Sequence, residues 1–201
     1  MPKQNKDLHG NVPDKATIAL LLIDVINDLE FEGSEALFKQ ALPVAQNIAQ
    51  LKKRAKRTRI PVIYVNDNFG KWQSDFRKLI RHCLEDDVLG NPIATLLKPD
   101  DDDYFVLKPK HSGFFSTTLN ILLDYLKART LIIAGYAGNI CVLFTANDAY
   151  MRDFRLVIPA DCVASASSEE NEYAFKHMRD VLKADTRPST ELDLAELKKA
   201  G

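Results

Sequence analysis

Five short apolar runs separated by helical patterns constrain the fold of this chain more than any other feature of its sequence. The runs are continuous rather than alternating, which predicts strands covered on both faces, as in a parallel sheet. Strand and helix alternate along the whole chain, which predicts a three-layer α/β/α architecture with right-handed crossovers and a mostly parallel sheet. The predicted strands are residues 17–23, 61–65, 104–107, 130–134 and 155–159.

The helical patterns complete this prediction and indicate one domain. Length and composition fit a single large core, with 201 residues of which 46% are hydrophobic and 27% charged. No linker or repeat interrupts the alternation, so we expect one domain over residues 1–201 that begins with a polar extension over residues 1–16. A shorter sixth strand is expected around Thr186. The helical patterns are residues 42–57, 75–85, 119–127, 140–152, 169–183 and 191–199.

Charge and cysteine content point to small-molecule chemistry in a reducing compartment. The formal net charge is −1, which provides no overall attraction to nucleic acid or to an anionic membrane. The three cysteines show no disulfide framework or C-x-x-C spacing. The N-terminus lacks an apolar signal core, and no apolar stretch is long enough to span a bilayer. We therefore expect a soluble cytoplasmic protein with no nucleic-acid or membrane partner.

Two charged runs have simple structural interpretations. The basic run "KKRAKRTR", residues 52–59, ends a helical pattern, where cations suit the helix dipole and point into solvent. The acidic run "KPDDDDY", residues 98–104, precedes the third strand and is expected to be a solvated loop rather than a cation site.

Three polar side chains follow the ends of predicted strands, where sheets of this kind bind their ligands. Asp24 follows the first strand, Lys108 follows the third, and Cys141 follows the fourth after the small residues of "AGYAGNI". In the strand order 3-2-1-4-5, the first and fourth strands are neighbours. A lysine side chain and its loop can cover the roughly 10 Å that separate the third strand from the first. The sequence therefore predicts that a carboxylate, an ammonium and a thiol converge.

These three groups suit nucleophilic catalysis. Cys141 is expected in the first turn of a helix, where backbone N–H groups and the helix dipole can lower the pKa of a thiol. Asp24 could accept the thiol proton and deliver it to a leaving group, while Lys108 compensates the negative charges. Each residue alone also has an ordinary structural role, so the hypothesis depends on their combination.

Three segments resemble the signature segments of the isochorismatase-like cysteine hydrolases. That family includes nicotinamidases, N-carbamoyl amidohydrolases and ureidoacrylate hydrolases. The segments are "LLLIDVINDLEF", "LKPKHSGFFSTTL" and "IIAGYAGNICVLFTANDAYMRDFRLVIPADCVAS". The resemblance implies a Rossmann-like isochorismatase fold, a catalytic triad of Asp24, Lys108 and Cys141, and assembly into a homodimer or homotetramer.

The resemblance also implies a cis peptide bond between Tyr136 and Ala137. In the family, such a bond before the cysteine turns backbone N–H groups toward the reacting carbonyl. It therefore implies an oxyanion hole formed by the amides of Ala137 and Cys141.

Departures from the family concern the substrate rather than the triad. Ile26 stands where the family commonly has Gln, and Leu29 stands where Phe is frequent. Nicotinamidases have an Asp-x-His metal site after the second strand, but "VNDNFGKWQSDF" contains no histidine, and Asp67 alone is a poor transition-metal site. We therefore expect no metal and no cofactor. Candidate pocket residues are Tyr136 and, with an ordinary polar loop as the alternative, Asn66, Asn68 and Trp72.

The leading hypothesis is a metal-independent cysteine hydrolase that cleaves a C–N bond of a small amide or carbamoyl compound through a Cys141 thioester. A vinyl-ether hydrolase is the second hypothesis, in which Asp24 protonates the substrate and the thiol need not attack. A binding protein or a thiol redox sensor on the same fold is the third. A binding protein would not need all three residues, and a resolving cysteine near Cys141 would favour the sensor.

Overall fold

The computed structural model describes residues 15–69 and 75–200, so most of the predicted N-terminal extension lies outside the described residues. The strands within this part of the chain are β1 Ile18–Ile23, β2 Val62–Asp67, β3 Tyr104–Lys108, β4 Thr130–Tyr136, β5 Arg155–Val157 and β6 Val163–Ala164. They form one parallel sheet in the order β3-β2-β1-β4-β5, and β6 pairs with the end of β4. The predicted strand order is confirmed.

Helices cover both faces of this sheet. They are α1 Ser34–Arg57, α2 Phe76–Glu85, α3 Asn91–Leu96, α4 Leu119–Leu126, α5 Leu143–Tyr150, α6 Ser168–Asp180 and α7 Leu194–Ala200. One hydrophobic core joins the sheet to α1, α2, α3 and α7, and a second core joins it to α4, α5 and α6. The three-layer architecture is therefore confirmed. Within residues 15–69 and 75–200, no helix is both long and apolar enough to cross a membrane.

The central strand explains why the apolar runs are continuous. All six residues of β1 are buried, because the strand has a neighbour on each side and helices above and below. Leu20 and Leu22 belong to the first core, whereas Leu21 and Ile23 belong to the second. Both side-chain directions of the strand therefore need apolar residues.

The first helix is longer than its sequence pattern indicates. It begins at Ser34 rather than at residue 42, and Pro43 lies inside it. The buried residues Leu37, Ala41 and Ala45 continue one apolar face past the proline. Burial of that face compensates for the backbone hydrogen bond that an interior proline removes.

Two short elements also differ from the prediction. The sixth strand is Val163–Ala164 and not a segment around Thr186; near that position, Asp185 forms an isolated bridge with Val157. Helix α3 was not predicted, because six residues are too few to establish a helical period. The other predicted helices are present with bounds that differ by a few residues.

The two charged runs are not simply solvated, because they contact each other. Lys52 and Lys56 on α1 form ion pairs with Asp100 and Asp103 in the loop before β3. The side chains of Lys52 and Asp103 are 9% and 1% exposed. The solvated-loop interpretation is therefore wrong for Asp103, and the solvated-helix-end interpretation is wrong for Lys52.

Candidate active site

The three predicted groups meet at the carboxyl edge of the sheet. Asp24 directly follows β1, Lys108 is the last residue of β3, and Cys141 lies in the turn between β4 and α5. The Lys108 Nζ atom is 2.8 Å from Asp24 Oδ2 and 3.5 Å from Cys141 Sγ. The lysine side chain spans the width of β2, which separates β3 from β1.

Asp67 is a fourth member of this group that sequence reasoning considered only as a weak metal ligand. Its Oδ2 atom lies 3.4 Å from Lys108 Nζ, and its backbone N–H donates to Asp24 Oδ1 at 2.8 Å. Asp67 is the last residue of β2 and pairs in register with Lys108. The same strand-end rule that selected Asp24 would have selected Asp67 if the predicted second strand had not ended at residue 65.

Small residues allow the turn that carries the thiol to approach the sheet closely. Gly135 has φ +128°, and a Cβ atom there would lie 2.1 Å from the carbonyl oxygen of Ile23. A Cβ atom at Gly138 would lie 2.8 Å from Ser165 Oγ. Residues Gly138–Val142 form one turn of π-helix, and the peptide bond between Tyr136 and Ala137 is cis, at the position that the family resemblance indicates.

Burial dominates the electrostatics of the thiol. It raises the pKa of Cys141 to about 12, and the nearby negative charge of Asp24 acts in the same direction. Lys108 lowers this pKa, but by less than the other two effects raise it. The pKa of Cys141 is therefore raised and not lowered as its position at a helix N-terminus would allow, and the resting residue is a protonated thiol at neutral pH.

The charged partners of the thiol are shifted as well. Burial raises the pKa of the Asp24 carboxyl above its ordinary value, although Lys108 opposes this shift. Burial alone would lower the pKa of Lys108, but the nearby carboxylates of Asp24 and Asp67 act in the opposite direction, and the pKa of Lys108 is raised, so the ammonium keeps its charge. A carboxylate with a raised pKa is a stronger base than an ordinary aspartate, which suits Asp24 to accept a proton from the thiol.

A cavity of about 410 Å³ opens onto these groups. Asp24 and Tyr136 are buried in its wall, whereas Phe31, Phe69 and Ile140 are exposed around it. The volume is within the range of small-molecule sites, which are commonly several hundred Å³. Further lining residues are Asn27, Leu29, Glu32, Leu37, Asp67, His111, Ala137, Asn139, Cys141 and Glu170.

The predicted pocket residues divide into three groups. Tyr136 lines the cavity, and its hydroxyl donates to a backbone carbonyl of α1 at 3.1 Å. Asn66 and Asn68 are buried and do not line it; the Asn66 amide donates to the carbonyl of Ile26 at 2.6 Å. Alternation along β2 places the Asn66 side chain on the opposite side of the sheet from Asp67. Trp72 lies outside the described residues.

Two groups of described residues have donor atoms spaced closely enough to share a cation. They are Asp28, Glu30 and His82, and Asp100, Asp102 and Asp103. The second group already forms ion pairs with Lys52 and Lys56. Neither group includes the thiol or its partners, so neither places a metal at the predicted reaction centre.

Comparisons with known proteins identify the family. The isochorismatase domain model matches residues 18–186. The chain is 47% identical over 171 residues to the uncharacterized isochorismatase family protein YaaI of Bacillus subtilis (strain 168), with 85% of this chain and 93% of that protein covered. It is 31% identical over 173 residues to the isochorismatase of the same organism, with 83% and 54% covered.

A solved structure agrees with this assignment. N-carbamoylsarcosine amidase from Thermoplasma acidophilum superimposes with a TM-score of 0.67 at 25% identity, and 88% of this chain and 99% of that chain are covered. The chain therefore belongs to the isochorismatase family and is a hydrolase with that family's fold.

Proposed function

We propose that this chain is a cysteine hydrolase that cleaves a C–N bond of a small amide or carbamoyl compound through a thioester on Cys141. The observation that carries the proposal is the ammonium of Lys108, which lies 2.8 Å from Asp24 and 3.5 Å from the Cys141 thiol beside a cavity of about 410 Å³. The similarity to a carbamoyl amidase supports a C–N bond as the target.

The first step forms a carbon–sulfur bond. Cys141 Sγ attacks the substrate carbonyl carbon while the thiol proton passes to Asp24, which is consistent with a thiol that is protonated at rest and a carboxyl of raised pKa. Negative charge develops on the carbonyl oxygen, for which the N–H groups of Ala137 and Cys141 are the proposed donors. Lys108 remains charged and compensates the charge that moves between the two partners.

The second step breaks the C–N bond. Asp24 returns the proton to the leaving nitrogen, so that ammonia or an amine departs and a thioester remains on Cys141. Asp24, again a carboxylate, then accepts a proton from water, which attacks the thioester carbon. Collapse of this intermediate breaks the carbon–sulfur bond and releases the acid product, and Asp24 returns its proton to the Cys141 sulfur, which restores the thiol. No step requires a metal or a redox cofactor.

Vinyl-ether hydrolysis is the second candidate function. The observations that favour it are the 31% identity to an isochorismatase and the burial that raises the pKa of Asp24, since a raised pKa also suits a proton donor. In that reaction Asp24 protonates the substrate, water completes the hydrolysis, and Cys141 forms no covalent bond. A homodimer or homotetramer and a cytoplasmic location, which we also propose, are compatible with either reaction.

Variants at the thiol distinguish the two reactions. A panel of primary amides, carbamoyl compounds and isochorismate is assayed with the wild type, with Cys141→Ala and with Cys162→Ala, whose buried cysteine lies outside the cavity. Amide or carbamoyl hydrolysis that is lost only in Cys141→Ala supports the proposal. Isochorismate hydrolysis that persists in Cys141→Ala supports the second candidate, and amide hydrolysis that persists there overturns the thioester mechanism.

A further inference from the structure

The lining of the cavity is rich in carboxylates. Asp24, Asp67, Glu32 and Glu170 all line it, whereas none of its described lining residues is a lysine or an arginine. Lys108 is fully buried behind them and already contacts Asp24 and Asp67 at 2.8 and 3.4 Å. One ammonium compensates only one of these carboxylates, and the resting thiol is neutral, so the described lining of the cavity carries net negative charge.

The two glutamates lie at the rim rather than at the reaction centre. Glu32 precedes α1 and Glu170 lies in the first turn of α6, and both are exposed, whereas Asp24 and Lys108 are buried. Within the described residues, neither glutamate forms an ion pair. Their position is suited to the end of a substrate that lies farthest from the carbonyl under attack.

An unused hydrogen-bond acceptor adds to this pattern. The Oδ1 atom of Asn139 is buried and has no hydrogen-bond partner among the described residues, and Asn139 lines the cavity. A buried acceptor without a partner costs free energy that a donor on a ligand can recover. Another lining residue, His111, packs against Phe144 with ring centroids 5.4 Å apart. The four carboxylates and the Asn139 amide oxygen therefore give the described lining several hydrogen-bond acceptors.

We infer that the cavity selects substrates whose end distal to the scissile carbonyl carries an amine, a quaternary ammonium or other hydrogen-bond donors, with Glu32 and Glu170 as specificity-determining residues. Substrates with a carboxylate at that end are disfavoured. Between the two ends, Leu29, Phe31 and Ile140 provide apolar contact for the body of the substrate. The inference names the substrate class of the hydrolase proposed above and rests on that function.

Charged thiol reagents test the electrostatic potential inside the cavity without requiring the enzyme to turn over a substrate. The probes are methyl methanethiosulfonate and its trimethylammonioethyl and sulfonatoethyl analogues. In each reaction, the Cys141 sulfur bonds to the thio sulfur of the reagent, the sulfur–sulfur bond of the reagent breaks, and methanesulfinate leaves. Rates are followed by intact mass in alkaline buffer and divided by the rates for free 2-mercaptoethanol. Cys141→Ala identifies any signal from the other cysteines.

We expect the corrected rate of the cationic reagent to exceed that of the anionic reagent by about tenfold or more at low ionic strength. This ratio should decrease in about 1 M salt, where the Debye length is about 3 Å. Glu32→Gln and Glu170→Gln should each reduce the ratio by roughly two- to fivefold. Glu169→Gln, an exposed neighbour on α6 that does not line the cavity, should leave it unchanged. Equal rates for the two charged reagents, or a ratio unaffected by the double Gln variant, would overturn the inference.

A substrate series separates this inference from the proposed function. Matched amides with an ammonium, a neutral group or a carboxylate at the distal end are compared by kcat/KM. Preference for the cationic member, reduced in Glu32→Gln and Glu170→Gln but not in Glu169→Gln, supports the inference. Hydrolysis without a charge preference refutes the inference and leaves the hydrolase intact. If no amide is hydrolysed, the proposed function fails, while the reagent rates still decide whether the cavity favours cations.

Discussion

Two clusters of carboxylates and lysines lie at opposite ends of β3, and they use similar residues for different purposes. Before the strand, Asp103 contacts Lys52 at 2.8 Å and Lys56 at 2.6 Å. After the strand, Lys108 contacts Asp24 at 2.8 Å and Asp67 at 3.4 Å. Both clusters contain side chains that are almost fully buried.

The clusters differ in the third partner of their buried lysine. Besides Asp103, the Lys52 ammonium contacts Asp100 and donates to the carbonyl oxygen of Lys98 at 2.9 Å. All three partners of Lys52 are therefore structural groups away from the cavity. Lys108 has the thiol of Cys141 as its third partner, beside a cavity. A buried lysine among carboxylates therefore does not by itself mark a reaction centre; the adjacent nucleophile and the space for a substrate do.

Removing one carboxylate from each cluster should give the largest contrast. Asp24→Asn retains the shape of the side chain but removes the proposed base, so turnover should fall by about 100-fold or more. Asp103→Asn should reduce stability and leave kcat within about twofold, because its partners are structural. The measurement is kcat together with thermal unfolding of both variants. Equal losses of turnover would mean that the two clusters do not differ in function.

Removing the lysines should have large effects on stability in both clusters. Lys108→Met leaves buried Asp24 without its partner and should lower the free energy of unfolding by about 3–5 kcal/mol. Lys52→Met should cost a similar amount, but only Lys108→Met should also reduce turnover beyond the loss caused by unfolding. Urea unfolding measures the free energy of unfolding of each variant. The turnover number kcat is compared under conditions in which the same fraction of each variant is folded.

A double variant provides the control for the lysine experiment. Asp24→Asn combined with Lys108→Met removes both charges, so it should be more stable than Lys108→Met alone. If the double variant loses, relative to wild type, the sum of the losses of the two single variants, the two groups are not coupled as the 2.8 Å contact requires.

Alkylation should separate the three cysteines by access more than by acidity. Burial raises the pKa of Cys83, Cys141 and Cys162 to about 12 in each case, but only Cys141 lines the cavity. A raised pKa means that the thiolate fraction is small at neutral pH and increases as pH rises toward 12, so iodoacetamide labelling of Cys141 should accelerate with pH. Peptide mass mapping of native protein should find Cys141 labelled first. A rate that is already maximal at pH 7 would contradict the raised pKa.

Chelation should have the smallest effect. The proposed reaction uses the thiol, Asp24, Lys108 and backbone N–H groups. Neither of the two groups of described residues whose donor atoms could share a cation includes these side chains. Prolonged treatment with a chelator should therefore leave the turnover of any accepted amide unchanged. Loss of activity that returns when one metal ion is restored would reopen the metal-dependent alternative.

The sequence predicted the features that depend on local pattern and topology. The apolar runs located the strands of the parallel sheet, and the expectation that ligand-binding residues follow strand ends placed Asp24, Lys108 and Cys141 together. The sequence did not predict the contact of Asp103 with Lys52, because residues that are far apart in the chain show no local pattern that indicates their pairing. The direction of the pKa shift of Cys141 was also missed, because burial at the thiol outweighs the charge of Lys108 and is set by the surrounding layers.

A single-turnover experiment tests the central claim, that Cys141 becomes acylated, most directly. An accepted amide is mixed with excess enzyme, quenched in acid at successive times and analysed by intact and peptide mass. We predict a transient mass increase equal to the acyl group of the substrate, located on Cys141, that disappears as the acid product forms and is absent from Cys141→Ala. Product formation by Cys141→Ala at the wild-type rate, or an acyl group located on another residue, would contradict the account.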